Sequence, residues 1–216
     1  MIKVVRHMIT AYLFLWPYLN TNAQELRLGI DYDKRILPKL EIDSKAQLRK
    51  IMNQSSSLYS IFQAGLTYEI SENISLSGSI RYSSASGEFD DEIIDEINEK
   101  IRYTADLKLR TKQFNNDITI KNRIRYQHSA IIADDDRDYI RDKFSIEYKL
   151  TRGMKPYVAV EPYLILEEKR IRKLRFYMGS EFELSDNEFE LCFILEGKFK
   201  DEVIFVRHKV GIFYIF

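Results

Sequence analysis

Apolar and polar residues alternate along most of this chain. Residues 74–83, for example, place isoleucine, leucine, glycine and tyrosine at every second position, with serine and arginine between them. Successive side chains of a β-strand point to opposite faces, so this period of two predicts strands with one apolar and one polar face. The segments with this pattern are 38–48, 58–70, 74–83, 99–113, 117–128, 138–151, 155–166, 170–184, 188–198 and 203–216.

The connections between these segments alternate in length. Short turns rich in Asn, Asp, Ser and Gly fall at 71–73, 114–116, 151–153 and 185–187. Longer or more charged links fall near 49–57, 84–98, 129–137, 167–170 and 199–202. This layout predicts an all-β fold, an antiparallel up-and-down transmembrane β-barrel of about ten strands with both chain ends on one side. Residues 26–32 also alternate, as an N-terminal extension or a further strand, so twelve strands is the alternative count.

The chain ends on an apolar strand. Val210, Ile212, Tyr214 and Phe216 occupy alternate positions, and Phe216 is the last residue. The closing strand of a bacterial outer-membrane barrel has this pattern, with its terminal aromatic residue at the membrane interface. We therefore interpret these four residues as a membrane-insertion signature that the barrel-assembly machinery reads.

The N-terminus has the features of an export signal. Lys3, Arg6 and His7 precede an apolar run over residues 8–19, and Ala23 closes a stretch of small residues. The run is too short to cross a bilayer, and this combination is typical of a cleaved signal peptide. We expect cleavage before Gln24, which gives a signal peptide over 1–23, a barrel domain over 24–216 and a location in the outer membrane of Gram-negative bacteria.

Composition excludes several classes of function. Lys plus Arg and Asp plus Glu both number 33, so nothing in the net charge favours nucleic acid as a partner. Cys192 is the only cysteine, which excludes an intramolecular disulfide. One cysteine and the dispersed His7, His128 and His208 do not make a zinc site, and we expect neither a metal nor a cofactor.

The orientation of the apolar face decides between two kinds of barrel. An inward apolar face would give a secreted soluble barrel that binds a lipid. An outward apolar face would give a membrane barrel, which the strand lengths, the C-terminal aromatic residue and tyrosines near the strand ends favour. Those tyrosines are Tyr68, Tyr82, Tyr103, Tyr126, Tyr148 and Tyr214.

In a membrane barrel, the polar face lines the lumen. Because barrels of about eight strands are filled by their own side chains, the sequence predicts a charged, largely plugged interior. A narrow anion-preferring path, or a site for an acidic group, is the functional alternative. The candidate basic cluster of the lumen comprises Arg81, Arg102, Lys108, Arg110, Lys121, Arg123, Arg125, Arg141 and Arg175.

Catalysis has weak support in the sequence. His128 and Ser129 are adjacent, so in a strand their side chains point to opposite faces and cannot act as base and nucleophile together. The acidic residues 134–136 fit a solvated outer loop. We assign no catalytic residue, and a lipid-modifying membrane enzyme remains an alternative function.

Several hairpin segments carry a family resemblance. They are Leu40-Glu41-Ile42, Gly65-Leu66-Thr67-Tyr68-Glu69, Gly78-Ser79-Ile80-Arg81-Tyr82, Asn122-Arg123-Ile124-Arg125-Tyr126 and Leu174-Arg175-Phe176-Tyr177-Met178-Gly179-Ser180-Glu181-Phe182. Together they resemble domain-of-unknown-function family 2490, exported proteins of Gram-negative bacteria. The resemblance implies an outer-membrane barrel and no established activity. We expect a monomer with a structural role or a narrow pore, in contact with outer-membrane lipids and lipopolysaccharide.

Overall fold

The computed structural model describes residues 25–51, 58–86, 100–113, 117–131, 137–150, 153–184, 187–200 and 203–216. These residues form β-strands and their connections, with no helix among them. None of them therefore belongs to a helix that is long and apolar enough to cross a membrane. The strands are β1 (Glu25–Leu37), β2 (Leu40–Ile51), β3 (Leu58–Ser71), β4 (Ile74–Ser86), β5 (Lys100–Gln113), β6 (Ile118–Ile131), β7 (Arg137–Tyr148), β8 (Met154–Ile165), β9 (Arg170–Leu184), β10 (Asn187–Lys200) and β11 (Val203–Ile215).

All of these strands belong to one closed barrel. Each strand pairs antiparallel with the next along the chain, and β1 also pairs in parallel with β11. The prediction of an all-β barrel built mainly from antiparallel neighbours is confirmed. The described residues contain eleven strands, however, where about ten were expected and twelve was the alternative. The difference is residues 26–32, which lie within β1 and bond to a neighbouring strand on each side.

The odd strand number places the two ends of the barrel sheet at opposite rims. We call the end of the barrel where β1 ends and β2 begins the turn rim, and the opposite end the link rim. Glu25 lies at the link rim, whereas β11 runs parallel to β1 and brings Phe216 to the turn rim. The expectation that both ends lie on one side is therefore wrong, because an odd number of alternating strands can close only by pairing two strands that run in the same direction.

The outer face of the barrel is apolar. Leucine, isoleucine, valine and phenylalanine side chains alternate outward along the strands, and many are about half exposed, including Phe62 at 57% and Ile80 at 56%. Charged and polar residues occupy the positions between them and face the lumen, where Glu161 and Glu196 have no exposed surface. This arrangement is the reverse of a soluble barrel with an apolar core.

Exposed aromatic residues lie on the outer face towards both rims. Tyr82, Tyr103 and Tyr126 are outward on the link-rim halves of β4, β5 and β6. Towards the turn rim, the ring of Phe216 lies 5.3 Å from that of Tyr32 on β1 and 5.6 Å from that of Tyr214 on β11. The last residues of the chain thereby pack across the parallel seam.

A small apolar cluster lies inside the lumen. It consists of Tyr157, Cys192, Ile194 and Phe213, with Tyr177 against it. Cys192 is a buried free thiol. The Phe213 ring lies against Gly29 of β1 and Gly211 of β11, since a Cβ atom at either position would come within 2.6 Å of it. Glycine at these positions lets the aromatic ring cover the backbone at the seam.

Candidate functional site in the barrel lumen

The predicted basic cluster occupies inward-facing positions on β4, β5, β6, β7 and β9. The structure divides it into several groups with different partners. Most of the arginines are neutralised by a carboxylate in direct contact, and a smaller number of basic side chains are not. The two kinds occupy different parts of the lumen.

Glu161 is the centre of the largest polar network. Its Oε1 accepts hydrogen bonds from Nη2 of Arg123 and Nη2 of Arg141, both at 2.8 Å. Its Oε2 accepts from the hydroxyls of Tyr177 at 2.5 Å and Tyr163 at 3.2 Å. A carboxylate with no exposed surface needs such partners, because an isolated buried charge is costly. The network ties β6, β7, β8 and β9 together across the lumen.

A second network closes the parallel seam. Lys209 of β11 is 1% exposed, and its Nζ lies 3.0 Å from Oε2 of Glu25 and 3.1 Å from Oε1 of Glu196. Arg27 donates from Nε to Glu25 at 2.7 Å, and Arg175 of β9 donates to Glu196. This network joins β1, β9, β10 and β11. Sequence reasoning did not identify it, because alternation shows only that these residues share a face.

Two further pairs neutralise members of the basic cluster. Arg125 donates from Nε and Nη2 to the two oxygens of Asp106, each at 2.5 Å, and both residues are buried. The two stand directly opposite each other on β5 and β6. Lys121 donates to Glu147 at 2.5 Å. The bidentate pairing of Arg125 with Asp106 fixes the geometry of both side chains and also compensates their charges.

Other members of the cluster have weaker partners. Arg81 donates to the amide oxygen of Gln63 at 2.9 Å, and it stands directly opposite Arg102. Lys108 contacts only the hydroxyl of Thr67, at 3.4 Å, among the described residues. Arg110 is exposed near the turn rim. Positive charge is therefore in excess on the wall formed by β4, β5 and β6.

The structure separates His128 from Ser129. His128 is on the outer face, where its Nδ1 lies 2.9 Å from Oδ1 of Asp138 and its ring stacks with Tyr103. Ser129 is buried in the lumen and accepts a hydrogen bond from Gln127 at 3.0 Å. The two side chains cannot share one reaction centre. The acidic residues 134–136 lie outside the described residues, as does the predicted signal peptide.

The second histidine among the described residues is His208. His208 lies on the outer face of β11, with its ring 6.0 Å from that of Phe193. No group of three or more His, Cys, Asp or Glu side chains in the described part of the chain is arranged to hold a metal ion.

The four residues of the C-terminal signature share the outer face of β11. Ile212 is 42% exposed and Phe216 is 49% exposed. Main-chain hydrogen bonds between the C-terminal segment and β1 continue to the last residue, since the Phe216 amide donates to the carbonyl of Asp31 at 3.1 Å. These residues thus form part of the outer apolar surface and of the seam itself.

Comparison with known proteins supports the resemblance seen in the hairpin segments. Residues 28–195 match the family described as Protein of unknown function (DUF2490), and this match spans more than half of the chain. No curated protein matches the chain. The family match confirms the prediction made from the sequence, and the chain belongs to the DUF2490 family of proteins of unknown function.

Proposed function

We propose that this chain, cleaved before Gln24, is an integral outer-membrane β-barrel protein whose lumen is closed by its own charged side chains. Its role is structural, as a folded body in the membrane, rather than that of an open diffusion pore. The observation that carries the proposal is the inverted arrangement of the barrel, with apolar side chains outside and ion pairs inside.

The outer surface supports a membrane environment. Monomeric soluble proteins rarely expose a contiguous apolar patch larger than a few hundred Å², whereas here exposed leucine, isoleucine and phenylalanine side chains occur on strands all around the barrel. The strands contain 12 to 15 residues, and about 9–11 tilted residues suffice to cross a bilayer. Aromatic residues towards both rims fit the two interfacial girdles of such barrels.

The same orientation argues against the soluble lipid-binding alternative. A soluble barrel that binds a lipid needs an apolar interior, and here the centre of the lumen is occupied by Glu161, Glu196 and Lys209, none more than 1% exposed. The separation of His128 from Ser129 removes the sequence-based case for a lipid-modifying enzyme. We place the turn rim on the periplasmic side, because short turns face the periplasm in such barrels.

Refolding in detergent tests the membrane proposal. The chain starting at Gln24 should refold in detergent micelles, give a β-rich circular dichroism spectrum, and migrate differently on a gel with and without boiling. Outer-membrane lipids and lipopolysaccharide are its proposed surroundings, and the signature on β11 is the proposed contact for the assembly machinery. A chain that folds without detergent and stays monomeric would overturn the proposal.

Single-channel recording in planar bilayers separates a closed barrel from a narrow pore. The buried networks around Glu161 and Lys209 predict that the wild-type protein gives no stable conductance steps. The excess of positive charge on β4, β5 and β6 favours one alternative, an anion-preferring path. Regular steps that vanish on Arg123→Ala would support that path and contradict the closed lumen.

A further inference from the structure

A cavity of 390 Å³ opens at the turn rim, between the inner walls of β2 to β7. Its inner wall carries Lys108, Lys121, Arg123 and Lys143, and its mouth includes Glu72 from the turn between β3 and β4. Small-molecule sites usually have volumes of about 300–1,000 Å³. The cavity is therefore large enough for a small metabolite, and it lies apart from the fully buried network around Lys209.

Three cations stand side by side on the wall of this cavity. Lys108 of β5 is directly opposite Arg123 of β6, and Arg123 is directly opposite Lys143 of β7. We call these three residues the cationic row. Like charges directly opposite each other destabilise a sheet, so an unliganded row of this kind lowers the stability of the barrel.

The cationic row has too little negative charge in contact with it. Among the described residues, no carboxylate contacts the ammonium groups of Lys108 and Lys143, and Lys143 instead lies over the Tyr177 ring at 4.3 Å. Arg123 bonds to Glu161, but that carboxylate is shared with Arg141. Within the same described part of the chain, the buried Nε of Arg123 has no hydrogen-bond partner.

We propose that the cationic row binds a small phosphate monoester in this cavity. A phosphate dianion presents several strong acceptor oxygens, which suit two lysine ammonium groups and the unpartnered Nε–H of Arg123. Lys121 already bonds to Glu147 and supplies no further free charge. Glu41, Glu69 and Glu72 also line the cavity and disfavour a long polyanion, such as a nucleic acid, that would extend past the mouth.

Calorimetric titration of the refolded barrel with glycerol 3-phosphate tests this site. The titration is performed in a nonionic detergent at low and physiological salt, on samples whose band shift shows that the barrel has folded. We expect saturable binding that weakens by about tenfold or more in Lys108→Gln and in Lys143→Gln, since each removes one charge-assisted hydrogen bond. Lys155→Gln is the matched control, because Lys155 also faces the lumen near the turn rim but contacts Glu183 and Glu188 at 2.7 and 3.2 Å.

The outcomes separate the site from the membrane proposal. A folded barrel that releases no heat with glycerol 3-phosphate, or three variants that weaken binding equally, would overturn the site and leave the membrane proposal intact. Absence of a band shift would count against the membrane proposal instead. Phosphatidic acid in mixed micelles is the second arm: binding at the same row, tighter than that of glycerol 3-phosphate, would assign the phosphate to a lipid headgroup.

Thermal unfolding provides an independent readout. Glycerol 3-phosphate should raise the unfolding midpoint of the wild-type barrel, because a ligand that binds only the folded state stabilises it. The midpoint of Lys143→Gln should be higher than that of the wild type without ligand, since one repulsive charge is gone, and should respond much less to the ligand. Equal responses of wild type and variant would contradict the proposal.

Discussion

Loss of Lys209 should destabilise the barrel. Its ammonium is buried between Glu25 and Glu196, and breaking a buried ion pair by removing one partner costs about 3–5 kcal/mol. Both carboxylates keep an arginine, so we expect Lys209→Met to lower the free energy of unfolding by about 3 kcal/mol in a urea titration in micelles. Lys149→Met, at an exposed position, should have little effect. Equal losses in both variants would contradict the network.

Gly211 offers a second test at the scale of single residues. A Cβ atom there would lie 2.6 Å from the Phe213 ring and 2.9 Å from Sγ of Cys192. We expect Gly211→Ala to lower the free energy of unfolding by about 1–3 kcal/mol, the cost of overpacking. Gly78→Ala is the control, because its Cβ would meet only the Thr104 carbonyl at 3.8 Å. A neutral Gly211→Ala would show that the ring moves freely.

Sequence alternation assigned single residues to faces but not to partners. It placed Arg123, Arg125 and Arg141 on one polar face, and the structure has all three inside the lumen. It could not show that Arg123 and Arg141 share Glu161 while Arg125 bonds to Asp106. The ion-pair partner of a lumen residue depends on the register of neighbouring strands and on which walls of the barrel face each other. The alternation of residues within one strand predicts neither.

At the scale of elements, the parallel pairing of β1 with β11 makes a prediction about cross-linking. Leu28 and Ile212 are direct partners on the outer face. In a Cys192→Ala background, we expect Leu28→Cys and Ile212→Cys to form a disulfide on oxidation, because opposed strand residues lie within bridging distance. A non-reducing gel would show it as a mobility change that reductant reverses.

The control for this pair tests the ten-strand alternative. If β1 were only an extension, β2 would close against β11, and Leu48→Cys would lie close to Ile212→Cys. In the structure β1 separates them, because Leu28 pairs with Leu48 on one side and with Ile212 on the other. A disulfide between positions 48 and 212, and none between 28 and 212, would refute the eleven-strand closure.

The elements themselves were largely predictable. Ten of the strands lie where period-two alternation and turn residues placed them, with ends that differ by a few residues, as for the predicted 74–83 and the observed Ile74–Ser86. The strand count failed at residues 26–32. Their alternation is compatible with an extension or with a further strand, and nothing local in a strand sequence specifies whether its second neighbour is parallel.

For the whole molecule, the sequence predicted a closed barrel with a charged interior but left the state of the lumen open. Mixed charges on a polar face are compatible with a plug, a path or a site. In the structure, Glu161 and the seam network are buried inside the barrel, and the cationic row lines a cavity near one rim. The distribution of charge along the barrel axis thus determines which regions can bind, and it follows from register and closure.

The last prediction concerns how deep a residue of the outer apolar surface lies in the bilayer. Arginine on the lipid face of a barrel costs about 2–4 kcal/mol at the bilayer midplane and about 0–1 kcal/mol near the interfaces. Ile80 lies midway along β4 and is 56% exposed, whereas Leu37 ends β1 at the turn rim and is 58% exposed. In lipid vesicles, Ile80→Arg should lower the free energy of unfolding by about 2–4 kcal/mol and Leu37→Arg by less than about 1 kcal/mol. Since the two side chains are equally exposed, a soluble barrel would tolerate both changes alike, and equal small effects would exclude a membrane around this surface.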